Sequence, residues 1–230
     1  MDNRLQELIS SVKFYIELER ESGSRELFSS AAQDAETPGL RDRPLGGSAS
    51  GLESLRAEVI NCRKCALAST RKHVVFGSGN PDARLMFIGE APGEDEDIQG
   101  LPFVGRAGQL LTKIIEAMGL KRADVYIANI LKCRPPNNRA PLPGEIEACA
   151  DNVRRQVEII DPRIICTLGK FASQTLLNTT EPISALRGKF TAYNGIKVMP
   201  TFHPAYLLRN PPDKKLVWSD MKKIMRELGS

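Results

Sequence analysis

Apolar positions near the start of the chain recur at helical spacing. Leu5, Leu8, Ile9, Val12, Tyr15, Ile16 and Leu18 predict an amphipathic helix over residues 1–20. Residues 21–50 turn to Ser, Gly, Ala, Pro and charge with almost no apolar periodicity, which predicts a disordered linker. From residue 51 to 230 short apolar runs alternate with helical patterns. Residues 84–89, 125–130, 163–168 and 196–202 read as strands, and about 106–119, 143–160, 169–177 and 213–228 as helices. Strands that alternate with helices predict an α/β domain: a three-layer α/β/α arrangement around a four-stranded parallel sheet. Ligands bind beyond the carboxyl ends of such strands. Here those ends are Glu90-Ala91-Pro92-Gly93, Asn129 to Cys133, and Phe202-His203-Pro204.

Composition narrows the setting. A hydrophobic share of 41% and a charged share of 26% over 230 residues fit a globular protein with its own core. No apolar run reaches the roughly 20 residues of a membrane span. Met1-Asp2-Asn3-Arg4 lacks the basic-then-apolar pattern of a secretory leader. The expectation is a cytoplasmic protein whose cysteines bind metal rather than form disulfides. Residues 1–50 carry 6 Lys and Arg against 9 Asp and Glu, and the remainder 26 against 19. A basic body behind an acidic leader fits a polyanionic partner such as nucleic acid. The first helix reads either as a cover for an edge of the domain or as a peptide for an unknown protein partner. Nothing marks an oligomer, so a monomer is expected.

Candidate chemistry collects at the strand ends. Cys62 and Cys65 form C-x2-C, and Cys133 and Cys149 follow as C-x15-C with a proline-studded loop between them. Thiolates are soft ligands for zinc or iron–sulfur clusters. A loop of this length can wrap a cluster, and both readings stay open. Cys166, inside a strand, reads as a small buried hydrophobe. His203 stands where a strand ends and a proline redirects the chain, so it reads as catalytic or structural. His73 reads as exposed and idle. The run Glu94-Asp95-Glu96-Asp97 reads as a solvated turn, with metal binding as the alternative. Asn129 ends a strand and can read a planar amide edge. Phe103 is either core or a stacking face.

These residues lie in blocks that resemble the family-4, iron–sulfur branch of the uracil-DNA glycosylases over about residues 51–228. The blocks are the C-x2-C pair, GEAPGEDED, GLPFVGRAGQLL, YIANILKCRPPNNRAPLP, Cys149 and FHPAYLLRNP. The resemblance implies an enzyme that flips uracil out of single- or double-stranded DNA and hydrolyses its N-glycosidic bond, as in base excision repair. It implies that Glu90 and Ala91 form the water-side motif, that Phe103 stacks on uracil, and that Asn129 reads its pyrimidine edge. His203 would donate to uracil O2, and Leu207 would wedge into the duplex. Arg134, Arg139 and Arg209 would meet phosphates, and Cys62, Cys65, Cys133 and Cys149 would hold a [4Fe–4S] cluster. The best-known branch has a water-activating aspartate where Ala91 stands and a thymine-excluding tyrosine near Gly93; both are absent. Water positioning then falls to Glu90, a backbone carbonyl or the substrate. The 135–143 loop is short and has no histidine, so turnover is expected rather than covalent trapping. The alternatives are a glycosylase for another deaminated or mispaired base, and a zinc-stabilised nucleic-acid-binding protein without catalysis.

Overall fold

The computed structural model describes residues 47–229 together with Lys13, Ile16 and Glu17. The rest of the expected N-terminal helix, and most of the expected linker, lie outside the described residues. Helix α1, Gly47–Ile60, begins inside the last residues of that linker. The other elements are strands β1 (Ser78–Gly79) and β2 (Leu85–Gly89), helices α2 (Glu94–Gln99) and α3 (Arg106–Ala117), and strand β3 (Tyr126–Asn129). Helix α4 (Pro143–Ile160), strand β4 (Ile164–Leu168), and helices α5 (Lys170–Leu177) and α6 (Ile183–Leu186) follow. Strands β5 (Thr191–Tyr193) and β6 (Ile196–Thr201), then helices α7 (Pro204–Arg209) and α8 (Lys214–Leu228), complete the domain.

The strands form one six-stranded sheet in the order β1-β3-β2-β4-β6-β5. Its four inner strands, the four foreseen from the sequence, are mutually parallel. The expectation of a four-stranded parallel sheet is corrected by two antiparallel edge strands. These are only two and three residues long, too short to carry a period.

Alternate residues of each inner strand enter opposite faces, as the pleat requires. Leu85, Phe87, Ile127, Ile164, Cys166, Leu168 and Met199 pack against α3, α7 and α8. Met86, Ile88, Tyr126, Ala128, Ile165 and Val198 pack against α1, α4 and α5. Two cores flanking one sheet explain why the inner strands are mostly apolar on both faces. Cys166 is fully buried, as expected. No helix among the described residues is long and apolar enough to cross a membrane.

Candidate active site and cysteine centre

The register sets four strand ends side by side. Gly89 pairs with Asn129, and Leu168 pairs with Thr201. From β2 the chain first adds β3 on one side and then β4 on the other, so the order reverses at β2. A crevice opens at such a switch point.

Asn129, Phe103 and His203 converge there. A Cβ on Gly89 would overlap Asn129 Oδ1 and would stand 2.5 Å from Phe103 Cζ. Gly89 is therefore the floor over which the amide and the ring meet. The Phe103 and His203 ring centroids lie 5.6 Å apart, tilted by 32°. The Asn129 Oδ1 atom is buried and has no hydrogen-bond partner. A buried carbonyl oxygen left open costs about 1–3 kcal/mol, which a ligand N–H would recover.

The His203 Nδ1 atom accepts the Ala205 N–H at 3.1 Å and caps α7. In the neutral ring the proton is then on Nε2, which becomes a donor. Burial, assisted by the charge of Arg209, pulls its pKa down to about 4, so the ring is neutral near pH 7. Gly169, at φ 89°, carries the chain past His203, whose Cβ would lie 3.0 Å from a Cβ there. The end of β6 is tied to α8 through the Thr201 hydroxyl, which donates to Asp220 Oδ2 at 2.6 Å. Glu90 follows the floor glycine and is half-buried, and burial raises its pKa. Ala91 is partly buried and packs against the second core.

Phe103 is held in place by Arg122, which the sequence did not single out, and by Glu96 of the acidic run. It sits at φ 53°, an uncommon conformation for a bulky residue and a site of stored strain. Arg122 donates to the carbonyls of Pro102 at 2.9 Å and Phe103 at 3.2 Å. Glu96 accepts from the amides of Gly93, Val104 and Gly105 at 3.0, 2.8 and 2.9 Å. The acidic run is thus the first turn of α2 rather than a solvated turn. Asp97 is buried and accepts from the Lys72 and His73 amides. His73 is exposed, yet its Nδ1 lies 2.9 Å from the Asp97 carbonyl oxygen, so it is not idle. A side chain at Gly93 would put its Cβ 2.7 Å from Glu96 Oε2.

The residues match the Uracil DNA glycosylase superfamily model over positions 76–222. A type-4 uracil-DNA glycosylase of Saccharolobus solfataricus is 49% identical over 188 residues, covering 78% of this chain and 87% of its own length. Enzymes of the same name from Archaeoglobus fulgidus and Thermotoga maritima are each 46% identical, over 75% of this chain and 91% and 92% of theirs. The chain belongs to the uracil-DNA glycosylase superfamily.

The DNA-side expectations for this glycosylase fold meet one correction. Leu207 is fully buried in the first core, so it is sealed from any duplex. Its neighbour Leu208 is 39% exposed, because one step along a helix turns the side chain by about 100°. Arg209 is exposed beside it. Arg134 donates to Asn138 at 2.8 Å and pairs with Glu94 at 3.3 Å. Arg139 grips Glu145 with two hydrogen bonds of 2.9 and 2.6 Å. These two guanidiniums brace the proline-rich loop.

Cys62, Cys65, Cys133 and Cys149 line one cavity, together with Arg71, Lys132 and Asn152. The chain thereby joins the segment after α1, the end of β3 and the first turns of α4. Three donors already face the sulfurs. Arg71 reaches Cys133 Sγ at 3.2 Å, and the Lys132 amide and Asn152 Nδ2 reach Cys149 Sγ at 3.3 and 3.6 Å. Burial pushes the free Cys133 thiol up to about 11 and also raises Cys149. Among the described residues no three His, Cys, Asp or Glu side chains close on a point where a single ion would sit.

Proposed function

We propose that this chain excises uracil from DNA at the crevice over Gly89, leaving an abasic site, in the manner its type-4 relatives' name implies. The observation that carries this reading is the meeting of Asn129, Phe103 and His203 over one floor glycine, with Asn129 Oδ1 left open. An open acceptor beside a ring face suits a flat base with an N–H edge. Cytosine lacks a hydrogen at N3, and in a duplex the edge is hidden by pairing. The base must therefore leave the stack, at a cost of a few kcal/mol.

Each side chain then has a task. Phe103 stacks on the flipped ring, and Asn129 accepts its N3–H. Neutral His203 donates from Nε2 to O2, where negative charge develops as the glycosidic bond breaks. A preorganised donor of this kind contributes about 3–4 kcal/mol. Glu90 faces the sugar side, where its carboxylate favours the cationic sugar and orients water. Leu208 replaces Leu207 as the apolar wedge that fills the vacated stack, and Arg209 beside it meets a phosphate. Phosphate contacts make affinity fall with salt.

The four cysteines suit a [4Fe–4S] cluster better than zinc. They surround a cavity instead of converging on one ion, and N–H donors already point at their sulfurs. When bound, the cluster supplies a rigid multi-thiolate joint between α1, β3 and α4. The protein acts in the reducing cytoplasm as a monomer, which keeps thiolates available.

An oligonucleotide with a single uracil, incubated with the protein and then treated with alkali, tests the reading. Strand scission at the uracil in both single- and double-stranded substrates is expected. An intact strand after prolonged incubation would sink it, and scission at hypoxanthine or thymine mispairs alone would favour a different base.

A further inference from the structure

Lys132 lies between the base crevice and the cysteine cavity. It is 1% exposed. Its Nζ donates to the Asn129 carbonyl at 2.8 Å and to Gln156 Oε1 at 2.6 Å. Its own amide donates to Cys149 Sγ, and it lines the cysteine cavity. Gln156, also fully buried, is committed at its other end. Its Nε2 donates to the Phe76 carbonyl at 2.9 Å and the Tyr126 hydroxyl at 3.3 Å. None of the ion pairs among the described residues includes Lys132. The sulfurs of Cys133 and Cys149 line the same cavity beside it.

A buried lysine without a carboxylate partner is a costly placement. Here it holds the peptide of the residue assigned to read the base. The Asn129 side-chain oxygen has no partner of its own in the protein, so its aim is set by its backbone. On the β2 side, Ile130 N–H donates to the Gly89 carbonyl at 2.9 Å. The Asn129 carbonyl is held by Lys132.

We propose that Lys132 is a positioning residue for Asn129. It clamps the Asn129 peptide from behind, with Gln156 Oε1 as its second partner. One side chain then couples that centre to the aim of the base-reading amide. The inference rests on the assignment of Asn129 given above.

The test compares Lys132→Met and Gln156→Met with the parent protein, each purified with its cysteine centre intact. The readouts are affinity for free uracil, single-turnover excision, affinity for uracil-free duplex and visible absorbance. Lys132→Met is expected to lose tenfold or more in uracil affinity and excision rate, with duplex affinity within about twofold. Its visible absorbance persists. Gln156→Met, which frees Lys132 without removing it, shows a smaller loss in the same direction. Unchanged uracil affinity in a folded Lys132→Met overturns the inference, as does loss of the absorbance with affinity intact. If Lys132→Met does not fold, unchanged affinity in Gln156→Met overturns it. Failure of both to fold overturns it in favour of a purely structural strut. A parent protein that neither binds nor excises uracil would strike instead at the assignment of the crevice.

Discussion

His203 shows how much one side chain depends on its neighbours. The Ala205 amide fixes its tautomer, and burial with Arg209 fixes its charge. His203→Ala is expected to slow single-turnover excision by 100- to 1000-fold, the equivalent of about 3–4 kcal/mol, while the visible absorbance of the cysteine centre stays. The pH profile separates His203 from Glu90. Burial raises the Glu90 pKa above the ordinary carboxylate value, whereas burial holds His203 down to about 4. As pH falls, Glu90 therefore loses its charge first, and excision should decline with a midpoint above that of an ordinary carboxylate. A pH–rate series on Glu90→Gln should be slower throughout and lack that limb. Adjacent leucines give a sharper contrast. Leu207→Ala should cost about 2–5 kcal/mol of stability in denaturant titration, the usual range for a buried leucine. Leu208→Ala should leave stability nearly unchanged and slow excision from duplex more than from single strands. Sequence could place a leucine wedge after His203, but the short helix that turns Leu207 inward has too few residues to show a period.

Among the elements, the inner strands and the long helices α3, α4 and α8 were legible. Each strand is a short apolar run stopped by Gly, Asn or Pro, and each helix repeats its apolar face over several turns. The missed elements are brief. Helix α2 has six residues, four of them acidic, so it carries no apolar stripe. Its signal was instead Glu96 placed three residues after Gly93, the spacing by which an N3 carboxylate reaches back to the helix start. The loop between α2 and α3 was illegible for another reason: Arg122 reaches it from a distant turn. That loop lies directly on α3, where a Cβ at Gly108 would overlap the Phe103 carbonyl. Gly108→Ala should therefore displace the Phe103 ring and weaken uracil binding at least tenfold. A thermal melt would show a destabilisation as well, since the strained turn loses its seat.

At the scale of the molecule, the site and the cysteine centre occupy different places on one frame. The ends of β2, β3 and β6 present Glu90, Asn129 and His203, and the cysteines join α1, β3 and α4 beside them. The four cysteines were legible as one group because thiols are soft ligands and two of them have metal-site spacing. The contact of Lys132 with the Asn129 carbonyl was hidden. A lysine directly after the apolar pair Ile130-Leu131 looks like an exposed turn residue until the fold buries it. Replacing Cys62 with Ser should abolish the visible absorbance and lower the unfolding temperature, whereas His203→Ala should do neither. Both measurements on the same preparations would separate support from chemistry.

Glu96 has one more consequence, visible in time rather than in space. Its single carboxylate protects three amides, those of Gly93, Val104 and Gly105, which belong to the turn after β2 and the loop before α3. Such amides exchange with solvent only when their shared acceptor lets go. Hydrogen–deuterium exchange should therefore report the three as one cooperative unit with a common protection factor. In Glu96→Gln they should exchange faster together. The two segments, in this sense, share a single latch.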